Sequence, residues 1–420
     1  MKHQPFEAAD IAEWRRGWPI ALGVAIGLGT GIALYVTVGS LFTNRIIAEF
    51  GWSRGDLSLA SAVGFLAGAV SLSFVGRILD RVGYRRVLYA CVPALAFVYV
   101  GFALVSGSYA LYLALMILGG VFGAGTGAIT YTRPVIAAFD RQRGFALGVS
   151  ASGTSLAAMT VPPILTFIIA TYGWRSGLIA LMMITLCVGM PLALWLIGRA
   201  RDANEDDRLA ATRDEVPTPL DESLLSLDVT LRQALRGGRF WMLTLALVAV
   251  NIPGSGVVGQ LAPMITDKGF SETQSGLVMS IYAIGLLAGR LSTGFALDRV
   301  SPGLVAAVMT GLPALGAMML LIPEPSFALA AFAVVLIGLQ QGSEIDLLAY
   351  FISRSFGLKS YSSIFGAIAT AGALATATGL VLFGEVHDAT GSYDIALVIG
   401  SCTFVIGALA FFVSPRLSVR

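Results

Sequence analysis

Four charged residues lie within long apolar stretches of this sequence: Arg133, Arg290, Glu344 and Asp346. A charge near the centre of a bilayer costs about 2.5–3.5 kcal/mol on insertion scales, so residues of this kind are functional candidates. A guanidinium stays charged and can bind both oxygens of a carboxylate. A carboxylate can carry a proton or pair with an arginine. The four residues therefore predict a site for a small organic anion, with acidic groups that could couple its binding to a proton.

The stretches that contain these charges have the composition of membrane-spanning helices. Of 420 residues, 56% are hydrophobic and 12% are charged, whereas a soluble protein has about 25% charged residues. This composition excludes an ordinary cytosolic enzyme and a nucleic-acid binder, which needs a basic face. About twelve stretches are long enough to cross about 30 Å of hydrocarbon as helices. They are predicted at 18–44, 55–76, 86–106, 109–138, 144–171, 176–198, 239–264, 274–296, 303–322, 326–353, 361–384 and 392–413.

A polar segment divides the predicted spans into two sets of six. Residues 199–238 contain the acidic run Asn204–Asp207 and two prolines, a composition typical of a mobile linker. The sequence predicts an N-terminal six-helix bundle at 1–198, a cytoplasmic linker at 199–238 and a C-terminal six-helix bundle at 239–420. Two halves with equal numbers of spans indicate an internal repeat.

The distribution of basic residues predicts the orientation in the membrane. With the N-terminus inside, only Arg45, Arg54, Arg175 and Lys268 of the 27 Lys and Arg residues would lie outside. Two others lie within spans, and the rest would be cytoplasmic. We therefore expect a multi-pass plasma-membrane protein of the bacterial inner membrane, monomeric, with both termini in the cytoplasm.

The loop after span 2 carries a motif that is partly repeated after span 8. It reads Gly76-Arg77-Ile78-Leu79-Asp80-Arg81-Val82-Gly83-Tyr84-Arg85-Arg86, and the second copy reads Gly294-Phe295-Ala296-Leu297-Asp298-Arg299. The motif resembles the signature loop of the major facilitator superfamily, G-x-L-a-D-r-x-G-r-r. The resemblance implies an all-α polytopic membrane protein with 12 transmembrane helices in two pseudo-symmetric six-helix bundles, which rock around a central cavity. The residues expected to serve this conformational motif are Gly76, Asp80, Gly83, Arg85, Arg86, Asp298 and Arg299.

A narrower resemblance covers most of the chain. The segments Gly51–Arg54, Phe139–Gly148 and Gly173–Arg175 are similar to those of the monocarboxylate transporter and oxalate/formate antiporter branch. This branch implies transport of small carboxylates, often with a proton. In it, an arginine of span 8 binds the substrate carboxylate, and Arg290 falls at that position. An arginine that snorkels to the cytoplasmic face is the alternative reading.

The sequence also departs from this branch. Monocarboxylate transporters often carry an aspartate one turn before the span-8 arginine, where this chain has Leu286. Lysines expected in spans 1 and 11 are absent, because the only lysines are Lys2, Lys268 and Lys359. We expect substrate selection to differ from that of the lactate and oxalate carriers.

The two acids of span 10 are expected to face different neighbours. Residues two apart on a helix lie about 200° apart, so Glu344 and Asp346 cannot point the same way. We favour Asp346 as the partner of Arg290, with Glu344 close behind, and either acid as the proton carrier. A purely structural ion pair between spans 8 and 10 stays open. Arg133 could hold a second carboxylate or be satisfied by carbonyls that Pro134 frees.

Neutral polar residues within spans complete the list of candidates for substrate binding, although each alone is more typical of a hydrogen bond between helices. They are Tyr35, Tyr131, Asn251, Gln260, Tyr282 and Gln340. The run Asn251–Gly256, which includes Pro253, predicts a break in span 7. His387 and Asp388 are expected to form an exposed pair, and two histidines without metal-like spacing predict no metal site.

We expect a secondary active transporter that moves a small organic anion by proton-coupled symport with alternating access. A monocarboxylate is the favoured substrate. Uptake of an anion against an inside-negative potential needs added positive charge, worth about 2.3 kcal/mol per charge per 100 mV. An organic-anion exchanger without net proton coupling and efflux of a neutral solute or drug stay open. No enzyme activity is expected. The expected partners are the carboxylate, the proton and the bilayer, without nucleic acid or cofactor.

Overall fold

The fold is taken from a computed structural model that describes residues 8–139, 143–198, 229–297, 299–356 and 361–414. Over these ranges the chain is helical and contains no strand. The expected class, an all-α polytopic membrane protein, is therefore confirmed. Most of the predicted linker and Asp298 lie outside the described residues.

The helices follow the predicted spans closely. Before the linker they are α1 (Ala8–Thr30), α2 (Ile32–Val38), α3 (Thr43–Phe50), α4 (Arg54–Val82), α5 (Tyr84–Ala103), α6 (Tyr109–Ala124), α7 (Ala128–Ala138), α8 (Arg143–Tyr172) and α9 (Trp174–Met183), which continues through a π-helical turn at Ile184–Gly189. A short helix, α10 (Leu231–Ala234), lies at the end of the linker. The helices that follow are α11 (Gly238–Asp267), α12 (Glu272–Leu297), α13 (Pro302–Met319), α14 (Phe327–Phe356), α15 (Tyr361–Thr390) and α16 (Asp394–Val413).

The number of membrane spans agrees with the sequence. Within the described part of the chain, 11 helices are long and apolar enough to cross a bilayer, and one bent pair makes up to 12. The bent pair joins Glu13–Thr30 to Ile32–Phe50 at 45°. The bend falls at Gly31, where the Ile32 N–H donates to Oγ1 of Thr126 at 3.1 Å. A side chain from the turn between α6 and α7 thus replaces a backbone partner at the kink.

The predicted break in span 7 is wrong. Helix α11 runs unbroken from Gly238 to Asp267 through Pro253. Helix α11 packs along α15 in this stretch, where the Ser255 hydroxyl donates to the Thr376 carbonyl at 2.9 Å. Packing against neighbouring helices lets a transmembrane helix tolerate proline. The nearby glycine serves close packing, because a Cβ on Gly256 would meet the ring of Phe383.

The helices form two compact units, residues 1–38 with 67–216 and residues 39–66 with 217–420. The first unit packs α1 against α8, with Gly153 against the Ala25 backbone. This contact of small residues lets two helix backbones approach closely.

The second unit places two glycine pairs between α12 and α14. Gly285 and Gly289 face the backbone of Val335 and Leu339, while Gly338 and Gly342 face the backbone of α12 near Leu286. Without side chains between them the two helices pack closely. This interface holds the helix of Arg290 against the helix of both span-10 acids.

Candidate functional site

A buried polar cluster lies in the second unit, where α11, α14 and α15 meet. Asn251 donates from Nδ2 to Oε1 of Glu344 at 2.7 Å, and Gln340 donates from Nε2 to Oε2 at 3.0 Å. Gln341 is a more distant donor to the same Oε2, at 3.5 Å. The Thr376 hydroxyl donates to Oδ1 of Asn251 at 2.9 Å. We call these five residues the Glu344 cluster.

The carboxyl group of Glu344 is almost fully enclosed. Its residue is 8% exposed and Gln340 is 0% exposed. The hydrogen bonds shown for the carboxyl come from amides, which are neutral. Burying a carboxylate without full charge compensation is costly, so a group in this position gains from taking up a proton. The Tyr282 side chain, on α12, interacts electrostatically with Glu344.

Arg290 and Asp346 form a second polar element, on the neighbouring faces of α12 and α14. Their side chains interact electrostatically. Gly342, one turn before Asp346, lies against the backbone of Arg290. Glu344 points instead toward Asn251 on α11. The two acids therefore face different helices, as the angle of about 200° between them predicts.

Three other sequence candidates lie in the first unit. Tyr35 stacks on Tyr99 and on Phe102, with ring centroids 5.6 and 5.8 Å apart. Tyr131 is fully buried against Gly27, whereas Arg133 on α7 is exposed. The two tyrosines fill the interior of this unit, where their rings contribute packing.

The motif loop is a tight connection between α4 and α5. Gly83 separates the helices with φ of +80°, a conformation that residues with a side chain rarely adopt. Gly76 and Asp80 lie in the last turns of α4, and Arg85 and Arg86 lie in the first turn of α5. In the second copy, the exposed Arg299 lies over the Phe295 ring at 3.5 Å.

A polar network that the sequence did not reveal closes one end of the second unit. Arg54, at the start of α4, donates to both carboxylate oxygens of Asp267, with Nη2 to Oδ1 at 2.8 Å. Its Nη1 also donates to the Tyr393 hydroxyl at 2.6 Å. Asp388 accepts hydrogen bonds from the backbone N–H groups of Arg54 and Gly55. Helix N-termini favour such an acidic side chain because their first N–H groups lack helical partners.

The network extends inward through Gln260. Its Nε2 donates to Oγ of Ser58 at 2.6 Å, and its Oε1 accepts from the Tyr393 hydroxyl at 2.9 Å. His387 lies 3.3 Å from Asp267 and packs on the Tyr393 ring. The expectation of an exposed His387–Asp388 pair is therefore wrong for the histidine, whose side chain is 17% exposed. We call Ser58, Arg54, Gln260, Asp267, His387, Asp388 and Tyr393 the Arg54 cluster.

Burial sets the protonation of the Tyr393 hydroxyl, which lies between α15 and α16. Its pKa is raised because burial disfavours the phenolate, and this outweighs the lowering effect of Arg54. The hydroxyl therefore stays protonated and can donate to Gln260 while it accepts from Arg54. The only sequence signal for the cluster is that Arg54 and Asp267 lie at span ends on the same predicted side.

Comparison with known proteins agrees with the helical architecture and the motif loop. The family described as Major Facilitator Superfamily matches residues 21–380. The chain belongs to the major facilitator superfamily. This superfamily member is therefore a multi-pass membrane transport protein.

Relatives of this superfamily member include several organic-anion carriers. It is 27% identical to human "Monocarboxylate transporter 11", over 95% of this chain and 83% of that protein. It is 25% identical to "Probable sulfoacetate transporter SauU" of Cupriavidus necator, over 88% of each chain. It is 23% identical to the "Gallate transporter" of Pseudomonas putida, over 91% of this chain and 93% of that one.

A solved structure shares the fold of this superfamily member. It is a bacterial homolog of the human lysosomal transporter Spinster, in an inward-facing and unoccupied conformation. The TM-score is 0.70 at 15% identity, over 96% of this chain and 97% of that one. At this identity the likeness supports the arrangement of helices alone.

Proposed function

We propose that the protein is a secondary active transporter that moves a small monocarboxylate together with a proton by alternating access. The observation that carries the proposal is the electrostatic interaction of Arg290 on α12 with Asp346 on α14, two helices that pack closely within the second unit. Each of these charges lowers the cost of burying the other. A substrate carboxylate offers the guanidinium the same acceptor group as Asp346 does, so substrate and Asp346 can compete for Arg290.

The relatives support a carboxylate as the substrate class. Monocarboxylates, sulfoacetate and gallate, which their names specify, all carry a carboxyl group. Arg290 suits this shared group because a guanidinium is planar and can donate two parallel hydrogen bonds. Leu286 and the missing lysines of spans 1 and 11 leave Arg290 as the main cation proposed for recognition in the second unit.

Proton coupling is proposed from energetics and from the two acids of α14, of which Glu344 is buried and Asp346 is half-buried. Moving one anion inward against an inside-negative potential of 100 mV costs about 2.3 kcal/mol. One accompanying proton makes the transported pair neutral and removes this cost. Protonation of Asp346 would release Arg290 for the substrate anion. Protonation of Glu344 would neutralise the buried cluster on the opposite face of α14. Arg133 remains a candidate for a second anion contact.

The Arg54 cluster is proposed as the closed gate at the periplasmic side. It joins the start of α4 to the ends of α11 and α15, so substrate access from that side requires these bonds to break. The orientation follows the bias of basic residues toward the cytoplasm. We place both termini in the cytoplasm of a bacterial inner membrane, with the halves 1–198 and 239–420 moving against each other around the linker 199–238.

Transport into proteoliposomes tests the proposal. Purified protein is assayed with radiolabelled small monocarboxylates, with gallate and with sulfoacetate, under an inward proton gradient. We expect uptake of at least one monocarboxylate that a proton ionophore abolishes. Counterflow that persists unchanged without any proton gradient, combined with ionophore-insensitive uptake, would instead establish an exchanger.

A conservative pair of substitutions tests the role of Arg290. Arg290→Lys keeps the charge but loses the bidentate grip, so we expect the KM for the carboxylate to rise about tenfold or more. Arg354→Lys is the matched control, because Arg354 is exposed at the end of α14 and its change should leave the KM within about twofold. Normal transport by Arg290→Lys would refute the carboxylate-binding role.

A further inference from the structure

Only the NH2 group of the Gln340 side-chain amide forms a hydrogen bond, and its carbonyl oxygen does not. Its Nε2 donates to Oε2 of Glu344 at 3.0 Å, while its Oε1 is buried without a hydrogen-bond partner. A buried carbonyl oxygen of this kind has lost the hydrogen bonds that water would give it, so its retention in the interior calls for a reason. The side chain is fully buried, and its free oxygen faces Gly254.

Asn251 differs from Gln340 in that both ends of its amide are engaged. Its Nδ2 donates to Glu344 and to the Leu247 carbonyl, and its Oδ1 accepts from Thr376. Turning this amide would place Nδ2 against the donor hydroxyl and Oδ1 against two acceptors. Asn251 is therefore held as a fixed donor to Oε1 of Glu344. The hydrogen bond shown for the Gln340 amide is the one to Glu344 itself, so the protonation of Glu344 decides which end of this amide faces Oε2.

We propose that Gln340 is a rotating amide that hydrogen bonds to both protonation states of Glu344, and that Glu344 takes up the coupled proton on Oε2. The inference rests on the proposed proton coupling and names the residue that carries the proton. It moves Gln340 from the set of substrate contacts to a positioning role. The two acids then have different roles: Asp346 interacts with Arg290, and Glu344 takes up the proton.

The chemistry of the two states requires the turn. When Glu344 is ionised, Oε2 accepts from the NH2 group of Gln340. When Oε2 is protonated, its O–H becomes a donor, and an amide NH2 group cannot accept. Rotation of the Gln340 amide by about 180° brings Oε1 into the place of Nε2, about 3.0 Å from Oε2, where it accepts the new O–H. The terminal torsion of glutamine is broad and roughly two-fold, so the turn meets little torsional resistance.

The surroundings leave room for this turn and bring few other charges. Oε1 of Gln340 faces Gly254, where a Cβ would lie only 3.3 Å away, closer than an ordinary contact, so the missing side chain keeps this side of the amide uncrowded. Among the described residues, Tyr282 faces Glu344 from α12, and α11 and α15 contribute the uncharged Asn251 and Thr376. Arg290 on α12 interacts with Asp346, on the other face of α14.

Infrared difference spectroscopy tests the inference without substrate and without a gradient, so its result is independent of transport. Purified protein in lipid is taken from alkaline to acidic pH, with glutamine labelled by ¹³C at the side-chain carbonyl. We expect a protonated carboxyl band that Glu344→Gln removes. We also expect the glutamine carbonyl band to move to lower wavenumber with the same pH midpoint, since the carbonyl gains a hydrogen bond, and this change to vanish in Gln340→Met.

A matched pair of variants separates a rotating amide from a fixed donor. Asn251→Leu removes a donor that serves only the ionised form, so we expect the proton affinity of Glu344 to rise about tenfold or more. Gln340→Leu removes a partner of both forms, so we expect a change within about threefold. An equal rise in both variants would overturn the rotation. A carboxyl band that persists in Glu344→Gln would overturn Glu344 as the proton site. If the carboxyl and glutamine carbonyl bands behave as expected but transport is insensitive to an ionophore, only the proposed symport is refuted.

Discussion

The Arg54 cluster offers the sharpest test of how this transporter opens. Asp267→Asn preserves the shape of the side chain and leaves one carbonyl oxygen, but it removes the charge that Arg54 and His387 face. In the present structure the guanidinium of Arg54 grips both carboxylate oxygens, and the Arg54 side chain is only 13% exposed. We expect the variant to leave the helices folded and to weaken the closed state of this end.

The magnitude follows from the two bonds and their exposure. A hydrogen bond to a charged group contributes about 1.5–3 kcal/mol when buried. The Asp267 side chain is 37% exposed, so solvent screening reduces the loss for the pair to about 1–2 kcal/mol. Because 1.4 kcal/mol corresponds to a factor of ten, the equilibrium should move toward the open state by about 5- to 30-fold.

Labelling of a cysteine placed at a buried position of the same unit measures this shift. Ser40 is 7% exposed and lies in the second unit, and Ser40→Cys is a small change. In a background without Cys91, Cys187 and Cys402, intact cells are treated with a membrane-impermeant maleimide. We expect Asp267→Asn to raise the labelling rate by the same factor of about 5–30, since only the open state admits the reagent.

A neighbouring ion pair supplies the control. Glu272 pairs with Arg45 at 2.7 Å, but both side chains are more than 40% exposed. Surface pairs of this kind contribute about 0–1 kcal/mol, so Glu272→Gln should change the rate by less than about fivefold. A labelling rate in Asp267→Asn within twofold of the parent, or an equal effect of Glu272→Gln, would refute the role of the Arg54 cluster as a gate.

Two further predictions concern stability. Gly342→Ala puts a methyl group against the backbone of Leu286 and Arg290, which should destabilise the protein by about 1–3 kcal/mol and lower its Tm in detergent. The control is Gly366→Ala, where a Cβ meets nothing within 4 Å and the Tm should not fall. Equal Tm values for the two variants would contradict the packing argument. Burial lowers the pKa of Lys268 from 10.5, so in the alkaline range below that value the unfolded chain binds more protons and stability rises with pH. The Tm of the parent should therefore rise relative to that of Lys268→Met as the pH increases toward 10.5, and a constant difference would show that Lys268 has an ordinary pKa.

The sequence predicted the spans because a bilayer imposes a simple rule on composition. A helix that crosses hydrocarbon needs about 20 apolar residues, and this need leaves a signal in each segment alone. Where local rules failed, the structure shows a contact with a distant part of the chain. Pro253 predicted a break that does not occur: α11 stays continuous where it packs against α15, and Ser255 donates to the Thr376 carbonyl of that helix. The bend at Gly31 went unpredicted, because the partner of the Ile32 N–H is Thr126 on a distant segment.

The amino-acid sequence by itself determined a polytopic helical transporter, its motif loop and the four charges within its spans. It also determined that Glu344 and Asp346 face different ways, because helix geometry fixes the angle between residues two apart. Only the tertiary structure decided which neighbour each acid meets, since Asn251 is 93 residues from Glu344 along the chain. It likewise decided that Arg54 meets Asp267 across 213 residues. Hydropathy is summed within a segment, whereas a polar contact depends on the rotation and depth of two packed helices, which no single segment encodes.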